Sequence, residues 1–103
     1  MHSHRTERDC LIVKLSQNTD DLTFIETLYN GNSKHLILDL QDIMELNSTD
    51  LLKFTTFGKN IVKNNSFVMI SNLPPQEEYM VVPSIQEAFD IIEMEEIERQ
   101  LNI

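Results

Sequence analysis

The stretch Lys34–Leu52, KHLILDLQDIMELNSTDLL, constrains the fold more than any other part of this chain. Leu36–Leu40 is short and nearly continuous in apolar side chains, as in a central strand covered on at least one face. The loop Gln41–Leu46 follows. Asn47-Ser48-Thr49-Asp50 then offers side-chain oxygens to the free amides of a helix N-terminus, with Asn47 or Ser48 as the cap. A strand that runs through a loop into a capped helix is the building unit of α/β architecture.

The flanking segments repeat the alternation. Cys10–Leu15 reads as a strand, and Thr19-Asp20-Asp21 as a cap with acids in the first turn of a helix carrying Leu22, Ile25, Leu28 and Tyr29. Asn30-Gly31 stops that helix. The helix from about Thr49 to Lys63 carries an inward stripe of Leu51, Phe54 or Thr55, Gly58, and Ile61 or Val62. Gly58 costs such a helix about 1 kcal/mol relative to Ala, a cost that close approach of the helix to the sheet would explain. Phe67–Ile70 is a third strand and Tyr79–Val82 a short fourth. Ser84-x-x-Glu87 opens the last helix as a capping box. There Ile85, Ala88, Phe89, Ile92 and Leu101 are expected to face inward, and Asp90, Glu93 and Glu96 outward. The expected fold is one α/β domain over residues 9–103, a largely parallel four-stranded sheet with helices packed on it, preceded by a flexible polar arm over residues 1–8.

Charge limits the partners. Eight Lys and Arg stand against seventeen Asp and Glu, for a net charge of −9. Nucleic-acid binding needs a basic face, which scattered cations do not supply. From Gln76 to the end the acids dominate and Arg99 is the sole cation, a segment that repels anionic lipid and suits a basic partner. No apolar run approaches the roughly 20 residues of a membrane span, and no secretory leader is evident. The expected location is cytoplasmic. Cys10, the one cysteine, reads as a buried small apolar side chain.

Catalytic signatures are thin. The glycine-rich phosphate loops and the zinc-binding HExxH motif do not occur, so no cofactor is implied. His35 reads as a surface residue, and His2 and His4 lie in the arm. Asp39, Asp42, Glu45 and Asp50 gather where parallel sheets bind ligands, which leaves a metal-assisted hydrolase as one reading and a solvated acidic loop as the other. Ser48 and Thr49 admit two roles. They can cap the helix, or one can accept a phosphate where the helix dipole favours negative charge.

ILDLQDIMELNSTDLL resembles the signature of STAS domains, the anti-sigma-factor antagonist family. That family shows an apolar strand, a polar turn, and Asp-Ser-Ser/Thr-Gly-Leu at a helix start. Asn47, Ser48, Thr49, Asp50 and Leu51 take those places in order. The resemblance implies a regulatory protein-binding module whose partner is an anti-sigma factor with serine-kinase activity, and Thr49 as phosphoacceptor with Ser48 beside it. Asn47 stands where the family has Asp, and Asp50 where it has Gly. Family members commonly open with a two-stranded hairpin and carry a helix before the last strand, whereas this chain reads as one opening strand and a short loop. The segment VVPSIQEAFDIIEMEEIERQL is similar to the tail of small STAS-like bacterial proteins labelled as ribonuclease Z-associated, in which the phosphoacceptor motif is not maintained. The implied function is a degenerate, non-enzymatic antagonist-type module. Its expected docking surfaces are Ser48, Thr49, Asn47, Asp50 and Lys53 on one side, and Glu93 and Glu96 on the last helix.

Overall fold

The computed structural model describes residues 2–29, 33–74 and 78–102. Its strands are β1 (Ser3–Glu7), β2 (Cys10–Lys14), β3 (His35–Asp39), β4 (Phe67–Ile70) and β5 (Val81–Val82), and its helices α1 (Thr23–Tyr29), α2 (Ser48–Val62) and α3 (Ile85–Leu101). The five strands form one sheet in the order β1-β2-β3-β4-β5. The fold is α/β, but the sheet is mixed rather than largely parallel and four-stranded.

The extra strand comes from the segment expected to be a flexible arm. Ser3–Glu7 pairs antiparallel with β2, from Ser3 opposite Lys14 to Glu7 opposite Cys10. Arg8 and Asp9 join them with φ of 52° and 63°, the left-handed pair that matches hairpin twist. The remaining pairings, β2–β3, β3–β4 and β4–β5, are parallel. The fourth expected strand, Tyr79–Val82, narrows to Val81–Val82 at the sheet edge.

Side-chain alternation assigns the two faces. Leu11, Val13 and Leu15 with Leu36, Leu38 and Leu40 pack against the α1 and α2 side. Cys10, Ile12, Ile37, Val68 and Ile70 pack against Ala88, Phe89 and Ile92 of α3. The two helix-bearing crossovers, β2–α1–β3 and β3–α2–β4, advance in the same direction across the sheet, so right-handed connections put α1 and α2 on one face. α3 follows the last strand and covers the other. Both faces of β3 are therefore buried, which accounts for its unbroken apolar run.

Local signals explain the helix limits. Asp21 Oδ1 accepts from the backbone N–H of Thr23 at 3.1 Å, so α1 starts after the acids expected inside its first turn. Its expected stop, Asn30-Gly31, lies outside the described residues. Ser84 Oγ accepts from Glu87 N–H at 3.2 Å and caps α3, with the Glu87 carboxylate accepting from the Ser84 hydroxyl. In α2 the expected stripe is buried at Leu51, Phe54, Thr55, Gly58 and Val62. A Cβ at Gly58 would lie 2.2 Å from the Phe67 ring, so the glycine permits close approach of helix to sheet. Among the described residues no helix is long and apolar enough to cross a membrane.

Candidate functional site

The loop between β3 and α2 lies at the carboxyl ends of the parallel strands. Asp39 Oδ1 accepts from Gln41 N–H at 3.0 Å and turns the chain out of the sheet. Gln41 Nε2 then donates to the Pro83 carbonyl at 3.3 Å, tying the loop to the end of β5. Past this turn Met44 is 95% exposed. Leu40, Ile43, Met44, Leu46, Ser71 and Leu73 line a shallow depression of about 290 Å³ here.

α2 starts with a reciprocal cap. Asn47 Oδ1 accepts from Asp50 N–H at 2.9 Å, while Asn47 N–H donates to Asp50 Oδ2 at 3.1 Å. A hydrogen bond from Asn18 lowers the Asp50 carboxyl below its ordinary range, and Asn47 N–H and Lys53 add to the effect against partial burial. Lys53 Nζ donates to Asn18 Oδ1 at 2.7 Å and Asp20 Oδ1 at 3.0 Å, 4.6 Å from the Phe54 ring centroid.

The expected site residues thus separate into two groups. Asn47, Asp50 and Lys53 are committed to the cap and to the tether between α2 and the segment before α1. Ser48 and Thr49 are exposed, and the cap uses neither hydroxyl. Leu52, one turn along, is 54% exposed. Sequence reasoning did not single out Met44 or Leu52, because one apolar residue in a loop or helix is more often core than surface.

The acidic cluster does not assemble. Asp39 caps its own turn, Asp42 lies 3.7 Å from Lys14 Nζ, and Asp50 serves the helix cap. Among the described residues, no group of three or more His, Cys, Asp or Glu is placed to hold a metal ion.

A second polar cluster lies at the opposite end of β3. His35, expected at the surface, is 2% exposed. β3 alternation points it toward α3, like Ile37. Its Nδ1 accepts from Ser66 N–H at 3.0 Å, so its Nε2 carries the proton and donates to Glu96 Oε1 at 2.6 Å. Arg99 Nη2 donates to Ser66 Oγ at 2.9 Å and to the same Glu96 oxygen at 3.4 Å. Burial pushes the His35 pKa down, and the attraction of Glu96 only partly opposes it. Burial pushes the Glu96 carboxyl up, but His35, Lys34 and the hydrogen bonds from Arg99 and His35 reverse this and leave it below the ordinary glutamate value. Glu96 was expected on the outer face of α3. It instead turns inward, where His35 and Arg99 stabilise its charge.

Cys10 lies beside this cluster, in register with His35. Burial, with Asp9 next to it, pushes its thiol up to about 11. Both ring nitrogens of His35 are already engaged, so neither can take a proton from Cys10. Glu93, the other expected α3 site residue, is exposed. A scan against protein-family models finds no match to this chain, and a search of curated proteins finds no relative.

Proposed function

We propose that this protein is a non-enzymatic, STAS-like regulatory module of the cytoplasm that binds a protein partner through the start of α2. The observation that carries the reading is the division of labour at that helix. Asn47 and Asp50 complete the cap, leaving Ser48, Thr49 and Leu52 exposed on the first turns of α2, with Met44 exposed in the loop that leads into it. Exposed apolar side chains can bury surface against a partner, and exposed hydroxyls can satisfy its polar groups at the rim. The opening β1–β2 hairpin adds support, since STAS domains begin in that way. β4 and β5 are joined without a helix among the described residues, which favours a divergent member.

The test is affinity purification from native cells of the unmodified chain and of the double variant Met44→Asp/Leu52→Asp. A defined protein recovered with the first and lost with the second supports the reading. Equal recovery with both chains, or none with either, overturns it.

A second reading, the phosphorylation-controlled antagonist with Thr49 as acceptor, draws on the same geometry. Both hydroxyls are accessible at the first turn of a fifteen-residue helix, where the dipole favours a phosphate. Intact-mass measurement of protein from native cells, mapped across Leu46–Lys53, decides it. A phosphate on Thr49 makes the module a switch with a cognate kinase. None under growth or stress conditions leaves the unswitched module. The metal-assisted hydrolase is the weakest reading, because three of its four carboxylates, Asp39, Asp42 and Asp50, serve three separate partners. Saturable Mg²⁺ binding in calorimetry, lost in Asp42→Asn, would revive it.

A further inference from the structure

α3 inverts its amphipathic character halfway along. In its first half Ala88, Phe89 and Ile92 face the sheet and are buried. Beyond Ile92 the sheet-facing positions turn polar, with Glu96 and Arg99 engaged by His35 and Ser66. The apolar residues of this second half point away from the sheet. Met94 is 57%, Ile97 50% and Leu101 78% exposed. With about 3.6 residues per turn these three fall within one narrow stripe.

Acids frame that stripe. Glu93 borders it on one side and Glu98 on the other, and Asp90 continues it one turn earlier, all three exposed. Among the described residues none of the three pairs with a cation. α3 carries six carboxylates against the Arg99 guanidinium alone.

We propose that the outer face of α3 is a docking surface for a basic amphipathic helix, with apolar anchors on the Met94–Ile97–Leu101 stripe and Lys or Arg over Glu93 and Glu98. This surface lies across the sheet from α2 and is independent of the function proposed above. Charge selects the occupant. A second copy would bring its own acidic rims against these, in a chain of net charge −9, and like charges across an interface are penalised. An anionic bilayer is repelled by the same rims. A basic helix neutralises both rims while covering the stripe, using anchors at i, i+3 and i+7.

The test uses the full chain and a fluorescent synthetic helix of Leu and Lys, apolar along one face. Two control peptides accompany it, one of the same composition in scrambled order and one with Glu for every Lys. Fluorescence anisotropy at physiological salt is expected to show saturable binding of the first peptide, with both controls weaker by about tenfold or more. Met94→Gln/Ile97→Gln is expected to weaken binding by about tenfold or more. Glu98→Gln is expected to weaken it and reduce its salt dependence, whereas Glu26→Gln, the same charge removed on α1, does neither. All substituted side chains are exposed, so circular dichroism melts should match the parent chain. Equal binding of the scrambled peptide, or indifference to Met94→Gln/Ile97→Gln, overturns the proposal. So does a dimer in sedimentation, or binding to anionic vesicles, that the same double variant abolishes.

Discussion

The two ends of β3 carry polar clusters of opposite character. At its start buried His35 and Ser66 and half-buried Glu96 and Arg99 satisfy one another in a network spanning β3, the residue before β4, and α3. At its end Asp39, Asp42, Asn47 and Asp50 each settle a local turn, cap or surface pair, leaving Ser48, Thr49, Met44 and Leu52 to solvent. A polar group closed off from water is held by its partners, and removing one leaves another unsatisfied. An exposed hydroxyl is solvated either way. The start of the strand should therefore answer to stability measurements, and its end to binding measurements.

The largest effect is expected at the buried end. His35→Leu fills the space without a polar atom, leaving Ser66 N–H unpaired and Glu96 dependent on Arg99. Chemical denaturation should show a loss of about 1–3 kcal/mol. A loss close to zero would mean that water reaches these groups and that the two ends do not differ.

Acid should sharpen the same contrast. Burial holds the folded pKa of His35 below its ordinary value near 6.5. The folded chain thus binds fewer protons there than the unfolded chain. This contribution to stability is present above about pH 6.5 and declines as pH falls toward the lower folded value. Glu96, lowered from about 4.5, loses its contribution at still lower pH, so both groups act in one direction. Melting temperature should fall between pH 7 and 5, and the fall should flatten in His35→Gln. An unchanged slope in that variant would assign the acid sensitivity elsewhere.

α2 connects the two ends, and Gly58 tests how tightly it is held on the way. Propensity alone favours Gly58→Ala by about 1 kcal/mol. The Phe67 ring stands in the way, so overpacking should outweigh that gain, with costs of about 1–3 kcal/mol in comparable cores. A net loss of about 1 kcal/mol is therefore expected from urea titration. In a Phe67→Leu background the same substitution should turn neutral or favourable.

What could be read from sequence follows the range of the interactions. The parallel core strands, the α2 stripe, the Ser84 cap and the close approach at Gly58 depend on neighbours within a few residues or on simple periodicity. β1 escaped because SHRTE is polar and exposed along its whole length, and its turn, Arg8-Asp9, lacks the glycine that usually marks such hairpins. His35 escaped because its burial depends on Glu96, far along the chain. Leu101 and Glu96 carry a sharper lesson. At about 100° per residue, Leu101 lies half a turn from Ile92, while Glu96 lies on nearly the same side. Residue type pointed one way on α3 and helical phase the other, and phase was correct. Of the candidate site, the position at the start of α2 was legible, but the split between cap and free surface was not. Asn47 and Ser48 are both suited to cap, and only the backbone geometry at the helix start selects Asn47. The engagement of Lys53 depends on Asn18 and Asp20 reaching it from a distant segment.

The smallest effects should come from the open end, where their smallness is informative. Asn47→Ala removes the cap and should cost about 1 kcal/mol. Ser48→Ala and Thr49→Ala remove only exposed hydroxyls and should stay within about 0.5 kcal/mol of the parent chain in the same denaturation assay. If Asn47→Ala weakens partner binding, frayed helix geometry can account for it. If Ser48→Ala or Thr49→Ala does so at unchanged stability, the hydroxyls themselves meet the partner. A stability loss from either alanine as large as that from Asn47→Ala would put the hydroxyls inside the cap and remove the reason to regard this end of β3 as a binding surface.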